Sequence, residues 1–274
     1  MRAQIAHREG GEPQGGGSAA ASVPLSAHDV GLVRADTPGP LTLSGTNTWL
    51  VGRDPCWVVD PGPALDDHLD AVAGEVAARG GAQGIVLTHG HPDHAEAVPA
   101  LARRLGAGVV AMAAGERAGP LTALATPGHT PDNLAYRAGR LIFTGDAVLG
   151  EGSVFVAPDP GALSAYLTAL ERLRALGPAL LCPGHGPPVT DPPATLDGLL
   201  AHRRERERAL LAALERGLRT VDELLGAAWA DTPPALRLPA TLTLAAHLDK
   251  LAEEGRLPTG VERPPWPPPE MREV

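Results

Sequence analysis

At 274 residues, 43% of them hydrophobic, the chain is long enough to bury a sizeable core and needs no stapled mini-scaffold. Its formal charge of −9 excludes a broad electrostatic grip on nucleic acid, though not a local basic groove, and its two cysteines, Cys56 and Cys182, are too few for a disulfide framework. A reducing, cytoplasmic setting is therefore expected, and no run approaches the roughly 18 apolar residues of a membrane span.

The first 22 residues mix charges with Gly, Ser and Ala, hold no sustained apolar core of the kind a secretory signal needs, and read as disordered. From Val23 onward, short apolar runs bounded by turn residues read as strands: "TNTWLVG", "CWVVDPG", "GIVLTH", "GVVAM", "RLIFTGD" and "ALLCPGHG". Between them "DDHLDAVAGEVAARG", "AEAVPALARRLG" and "PGALSAYLTALERLRALG" have helical spacing. The alternation predicts an α/β layered fold, with sheets covered by helices. After "DPPATLDG", Asp191 to Gly198, the chain turns helical, in "LLAHRRERERALLAALERGL", "TVDELLGAAWADTPPAL" and "LTLAAHLDKLAEEGRLPTG". The expected division is a disordered segment 1–22, a first domain 23–198, a helical domain 199–262 and a proline-rich tail 263–274.

The stretch "IVLTHGHPDHAEAVP" places His89, His91, Asp93 and His94 directly behind an apolar run. Imidazole nitrogens and carboxylate oxygens are the ligands of zinc and similar ions, and a loop after a strand lets several converge. A plain turn ahead of a helix begun by Pro92 would account for Pro92 and Asp93 but not for three histidines. Three later residues stand at strand ends on glycine-bearing turns: His129 in "ATPGHTPDN", Asp146 in "LIFTGDAVLG" and His185 in "LLCPGHGPP". Together they complete a set of seven ligands.

This ordered combination, HxHxDH followed by His, Asp and His over about Thr46 to Gly186, resembles the metallo-β-lactamase superfamily of hydrolases. The resemblance implies a four-layer αββα sandwich with the ligand loops gathered along one edge of the paired sheets. It implies that His89, His91 and His129 hold one metal, that Asp93, His94 and His185 hold a second, and that Asp146 bridges both. The expected cofactors are two divalent ions, zinc by the richness in histidine. A metal-bridging hydroxide would be the nucleophile, with Asp93 as the catalytic residue that orients or deprotonates the water. The same resemblance gives Asp60 a supporting hydrogen-bond role behind the ligand loop. Cys182, three residues before His185, reads as a buried thiol and not a ligand. His7, His28, His68, His202 and His247 read as surface or helix residues.

A longer match, through "GTNTWLVG", "TPGHTPDN", "GDAVLGEGSVFV", "PGHGPPV" and "AHRRERE" as far as Leu257, resembles the lactamase-beta-2-like family. That family includes a mitochondrial endoribonuclease acting on single-stranded RNA, and its C-terminal module is winged-helix-like, with a short closing wing. The implied function is phosphodiester cleavage of single-stranded RNA. The alternative is thioester hydrolysis of the glyoxalase II (hydroxyacylglutathione hydrolase) type, for which no glutathione site is evident. A non-catalytic metal protein is disfavoured, because a structural site is closed by four ligands. The would-be recognition helix sets Lys250 against Asp249, Glu253 and Glu254, a net −2, which argues against reading duplex DNA. Arg203, Arg204, Arg206 and Arg208 are candidates to bind phosphate, but a solvated helix face paired with Glu205 and Glu207 is the stronger expectation. Trp49 and Phe155 read as core or pocket wall, not as clamps for bases.

Overall fold

The structure is a computed structural model and describes residues 25–266. The expected disordered segment and residues 267–274 of the tail lie outside the described residues. One sheet has the order β1 (Val30–Arg34), β2 (Asn47–Val51), β3 (Cys56–Val59) and β4 (Ala82–Val86). The second has the order β5 (Arg117–Ala118), β6 (Leu121–Ala125), β7 (Leu134–Ala138), β8 (Leu141–Gly145) and β9 (Leu180–Pro183). In each sheet the last pair, β3 with β4 and β8 with β9, is parallel and the rest antiparallel.

Strand side chains alternate between faces, and here both faces are apolar. Trp49, Val51, Trp57, Val59 and Val86 meet Leu121, Tyr136, Leu141, Phe143 and Cys182 of the other sheet. Their neighbours Leu50, Val58 and Ile85 turn outward to Leu69, Val72 and Val76 of α1 (Asp66–Ala78) and Leu101 of α3 (Val98–Leu105). A one-turn α2 (Pro92–Ala95) precedes α3. On the far side Ala135, Ile142 and Leu181 pack on α4 (Ala162–Ala175) and on the first turns of α5 (Pro192–Glu215). The result is the expected α-β-β-α layering.

Sequence and structure differ at four points. "GVVAM" forms only a single bridge, Val109 to Ile85, because the chain peels away from the sheet edge there. β1, β5, β6 and β7 were not among the expected strands; β6 and β7, "LTALA" and "LAYRA", are rich in alanine, which has little strand preference. "DPPATLDG" is not a break but the opening of α5. Asp191 caps the helix by accepting from the Ala194 amide at 3.1 Å, and the two prolines occupy first-turn positions that need no intrahelical donor. The expected line at 198/199 therefore falls inside a continuous helix. Finally, among the described residues no strand follows α7 (Arg237–Glu253); the place of the expected wing is taken by a stretch that returns to donate from the Glu262 amide to the Arg219 carbonyl at 2.8 Å.

α5 belongs to two cores. Leu196, Leu199 and Leu200 sit with the second sheet, whereas Leu210, Ala213 and Leu214 join Leu224, Leu225 and Trp229 around α6 (Val221–Ala228) and Leu244, Leu248 and Leu251 of α7. Thr220 and Glu223 close α6 with a capping box. Buried residues lie all around α7, from Ala240 to Leu251, so no face of it is free to enter a nucleic-acid groove. No helix among the described residues is long and apolar enough to cross a membrane.

Leu196→Ala should cost about 2–5 kcal/mol in urea unfolding of the metal-free protein, by loss of buried area and the cavity left. Asp191→Ala should cost only about 1 kcal/mol. A near-zero effect at Leu196 would refute the place given to α5 in the sheet-side core.

Candidate metal centre

The sequence-derived ligands come from four strand ends on one edge of the sandwich: His89 to His94 after β4, His129 after β6, Asp146 after β8 and His185 after β9. Parallel pairing of β3 with β4 and of β8 with β9 sends those C-terminal ends the same way, and cross-sheet bonds clamp the edge. The Leu134 amide donates to the Thr88 carbonyl at 2.8 Å, and the Asn47 amide to the Gly184 carbonyl at 2.7 Å. The Asn47 side chain donates to the Pro183 and Gly186 carbonyls, at 3.0 and 2.8 Å, on either side of His185. Gly184 is required by close approach: a Cβ there would lie 2.6 Å from both Asp146 Oδ1 and His94 Cε1.

All seven residues come together. The donor atoms of His89, His91 and His129 lie within 4.8 Å of one another, as do those of Asp93, His94 and His185. Asp146 stands between the trios: Oδ1 is 3.4 Å from His94 Nε2, and Oδ2 is 3.4 Å from His185 Nε2 and 3.6 Å from His129 Nε2.

Hydrogen bonds fix which ring nitrogens face inward. Asp60 accepts from the Thr88 amide and hydroxyl, both at 2.7 Å, and from His94 Nδ1 at 3.0 Å. With its proton committed to Asp60, the Thr88 hydroxyl is left to accept from His89 Nδ1 at 3.0 Å. His185 Nδ1 donates to the Gly45 carbonyl at 3.3 Å and His129 Nδ1 to the Phe155 carbonyl at 3.4 Å. Four Nε2 lone pairs therefore converge, joined by His91 Nδ1, which is 3.0 Å from Nε2 of both His89 and His129. Lone pairs at that separation repel unless a cation or proton lies between them. Asp146 adds a second sign: its Oδ1 is buried and no donor meets it in hydrogen-bond geometry, with His94 Nε2 3.4 Å away, so a cation would serve it well. The donor set fits divalent ions.

The charges tell the same story. Burial opposes charge on His185, but Asp146 and Asp93 outweigh it and push its pKa up to about 9. Burial likewise opposes charge on His94, yet Asp146 and Asp60 hold it well above the usual histidine range. Burial works against Asp146, which His94 and His185 nonetheless keep well below the usual carboxylate range. His89 is pushed down to about 3, because burial and the charge of His94 outweigh the opposing pull of Asp146 and Asp60. A divalent ion would therefore compete with protons for His94 and His185.

Other expectations resolve in different ways. Cys182 is fully buried between the sheets, where burial raises its thiol pKa, and it is not a ligand. Trp49 is core, edge-on to Phe143 at 5.8 Å, while half-buried Phe155 stands 5.1 Å from His129 as a wall. His68 and His247 stand in α1 and α7, within the expected surface or helix settings, and both are buried, at 5% and 0% exposure. His7 lies outside the described residues. The four arginines of α5 are all engaged: Arg203 is buried on Ser153 and Val154, Arg204 pairs with Glu171 at 3.0 Å, Arg206 with Asp231 at 2.7 Å, and Arg208 with Glu205. Glu207 faces Lys250 and Arg256 instead of its own helix. The supports from Thr88, Gly45, Asn47 and Phe155 were not legible in the sequence, since three of them act through backbone atoms or from a buried strand.

The family models agree with this geometry. One described as the metallo-beta-lactamase superfamily matches residues 41–121 and 111–185, and one described as the beta-lactamase associated winged helix domain matches residues 220–258. The chain is 30% identical over 246 residues to a beta-lactamase-like protein 2 homolog of Caenorhabditis elegans, across 80% of this chain and 82% of that one. It is 29% identical over 204 residues to an atrochrysone carboxyl ACP thioesterase of a Cryptosporiopsis species, across 67% and 62%. Among solved structures, a metallo-beta-lactamase family protein of Thermus thermophilus superposes with a TM-score of 0.65 at 25% identity, covering 83% of this chain and 94% of that one. With its seven donors gathered at one sandwich edge and a helical module behind them, the chain belongs to the metallo-beta-lactamase superfamily, and it carries the winged helix domain associated with that fold.

Proposed function

We propose that the chain is a dinuclear metal-dependent hydrolase of single-stranded RNA. In this reading His89, His91 and His129 would hold one ion, Asp93, His94 and His185 would hold the other, and Asp146 would serve both. The observation that carries it is Asp146, a buried carboxylate with an orphaned oxygen, approached by histidines of both trios. Two divalent ions, zinc by donor type, would supply an acidified water and polarise the scissile oxygen.

The protein's own groups do the remaining work. Asp93 is the ligand carboxylate open to solvent, with its side chain 33% exposed and Oδ2 3.2 Å from His185 Nε2. It is placed to orient the attacking water and take its proton. Asp60 and Thr88 hold His94 and His89 in the tautomer that offers Nε2. Phe155 shields one side of His129.

RNA as substrate rests on similarity along most of the chain to the beta-lactamase-like protein 2 homolog, given the endoribonuclease within the lactamase-beta-2-like family. Thioester hydrolysis of the glyoxalase II type is the second reading, and two observations favour it. The α5 arginines are occupied by partners within the protein, which leaves no phosphate grip there. One relative is named a thioesterase.

Cleavage of end-labelled single-stranded RNA, run beside S-lactoylglutathione and an acyl-carrier thioester with Asp93→Ala as control, decides between them. RNA cut by the wild type and spared by the variant supports the first reading; turnover of thioesters alone replaces it by the second. Asp146→Asn should lower kcat/KM by about 10³-fold or more and reduce bound zinc below two ions, while Cys182→Ser keeps most activity. A fully active, folded Asp146→Asn protein would sink the shared-ligand mechanism.

The pKa shifts set a direction for pH. A cation must displace the protons on His94 and His185, so zinc affinity should rise with pH throughout the range below about 9, and less steeply above it, where the His185 proton is already lost. Stability of the metal-free protein should run the other way. A raised histidine pKa stabilises the fold fully below the unfolded value of 6.5, and that contribution is lost as pH climbs through about 9. Zinc calorimetry in buffers of different ionisation enthalpy counts the protons, and binding at pH 7 with no proton release would contradict this account.

A further inference from the structure

We propose that Arg203 and Thr243, which belong to the helices of the C-terminal region and touch none of the seven donors, are positioning residues that set the aim of His129. The inference rests on the metal-binding reading above. His129 is held from two directions, and Arg203 reaches both.

The first support is the Phe155 carbonyl, which accepts from His129 Nδ1 at 3.4 Å and so turns Nε2 inward. Phe155 lies in a segment without helix or strand, between Asp146 and α4, so no backbone ladder fixes that carbonyl. The residues on either side are gripped instead. Arg203 of α5 donates to the Ser153 hydroxyl at 2.8 Å and to the Val154 carbonyl. Thr243 of α7 accepts from the Val156 amide at 3.4 Å. Beyond them Glu253 of α7 accepts from the Gly161 amide at 2.9 Å, and Arg263 donates to the Pro158 carbonyl at 3.4 Å. Residues 153 to 161 are thus tied at five places to the helical region and the stretch just after it, and the bond from Phe155 to His129 lies between the two innermost ties; nearer Asp146, the Gly150 amide donates to the His185 carbonyl at 2.8 Å.

The second support is the turn that carries His129. Gly128, with φ at 141°, lies against Tyr166 so closely that a Cβ would be 2.5 Å from the Tyr166 Cβ. The Arg203 guanidinium lies 5.4 Å from the centre of that tyrosine ring. Both Arg203 and Thr243 are 3% exposed, so their geometry is set by packing and not by solvent. The other histidines of the set have no such dependence. His94 is held by Asp60, and His185 by the Gly45 carbonyl, both within the sandwich. The consequence is selective: the helical region tunes the His89, His91 and His129 trio and leaves the other trio alone.

The test uses the full chain with Thr243→Val, Arg203→Met and Arg203→Lys. Long-range proton–nitrogen spectra of the metal-free protein, at one fixed pH, report the tautomer of each histidine. Zinc titration then reports affinity at the two sites separately. Thr243→Val and Arg203→Met should lower the share of His129 in the Nδ1–H tautomer and weaken one zinc site about 10–100-fold, with His94, His185 and the other site unchanged. Arg203→Lys, which keeps a donor within reach, should recover part of the loss. Unchanged His129 spectra and unchanged zinc affinities in folded variants would overturn the proposal, and so would equal weakening of both sites, which is the signature of general loosening. Should Arg203→Met fail to fold, Thr243→Val decides by the same two readouts. If the wild type takes up no metal, the functional reading fails, yet the tautomer of His129 still tests this one.

Discussion

The buried carboxylate of Asp60 is the constraint on which the site depends. It ends β3 at a φ of 52°, in the left-handed region that a non-glycine residue enters at some cost, and the following Pro-Gly turn keeps it there. From that position it accepts three hydrogen bonds, two from Thr88 and one from His94. By occupying the Thr88 proton it obliges the hydroxyl to accept from His89, so one anion sets the tautomer of a histidine in each trio. The energy that holds Asp60 in a strained, desolvated place comes from these charge-assisted bonds and from the layered core around them.

How much of this was legible in the sequence follows from where the information resides. The seven donors were, because a ligand must be a specific side chain, and specific side chains are letters. The layered fold was too, since strand ends and helical spacing alternate along the chain. β6 and β7 were not, because Ala-rich runs become strands only through burial between a sheet and α4, which is a tertiary fact. The opening of α5 reads as a boundary because two prolines and an aspartate signal either a loop or a capped helix start. Supports such as the Gly45 and Phe155 carbonyls could not be read, as a backbone carbonyl is present at every position.

The arginine run shows how pattern and partner diverge. Four arginines in six residues, near a ligand histidine, have the look of a phosphate site. In the folded chain each has an internal partner, and the most buried, Arg203, faces carbonyl and hydroxyl oxygens together with an aromatic ring, not a carboxylate. Glu207 is drawn to α7 by Lys250, so charges that look like one helix's own pairs serve as contacts between helices. Arg208 keeps Glu205 on its own helix, while Arg203, Arg204 and Arg206 reach other parts of the fold.

The way the fold is assembled bears on how the site relates to its ions. In a zinc finger the metal contributes folding energy outright, because no other interaction gathers the ligands. Here the ligand loops are gathered by parallel strand pairs, cross-sheet amide bonds and the Asn47 clamp, none of which uses a donor atom of the seven. Histidine donors and carboxylates stand close together there, and against burial the carboxylates Asp146, Asp93 and Asp60 hold His185 and His94 above the usual histidine range. A fold built in this way aims its donors through contacts that use no donor atom, so ion binding would exchange protons for cations. His129 is the exception, because its orienting carbonyl lies in a segment that packs on the sandwich through Val154 and Val156 but takes its flanking hydrogen bonds from the helical region. The helical region is then more than an appendage: without its grip on residues 153 to 161, one of the seven donors would have to be ordered at the moment of binding.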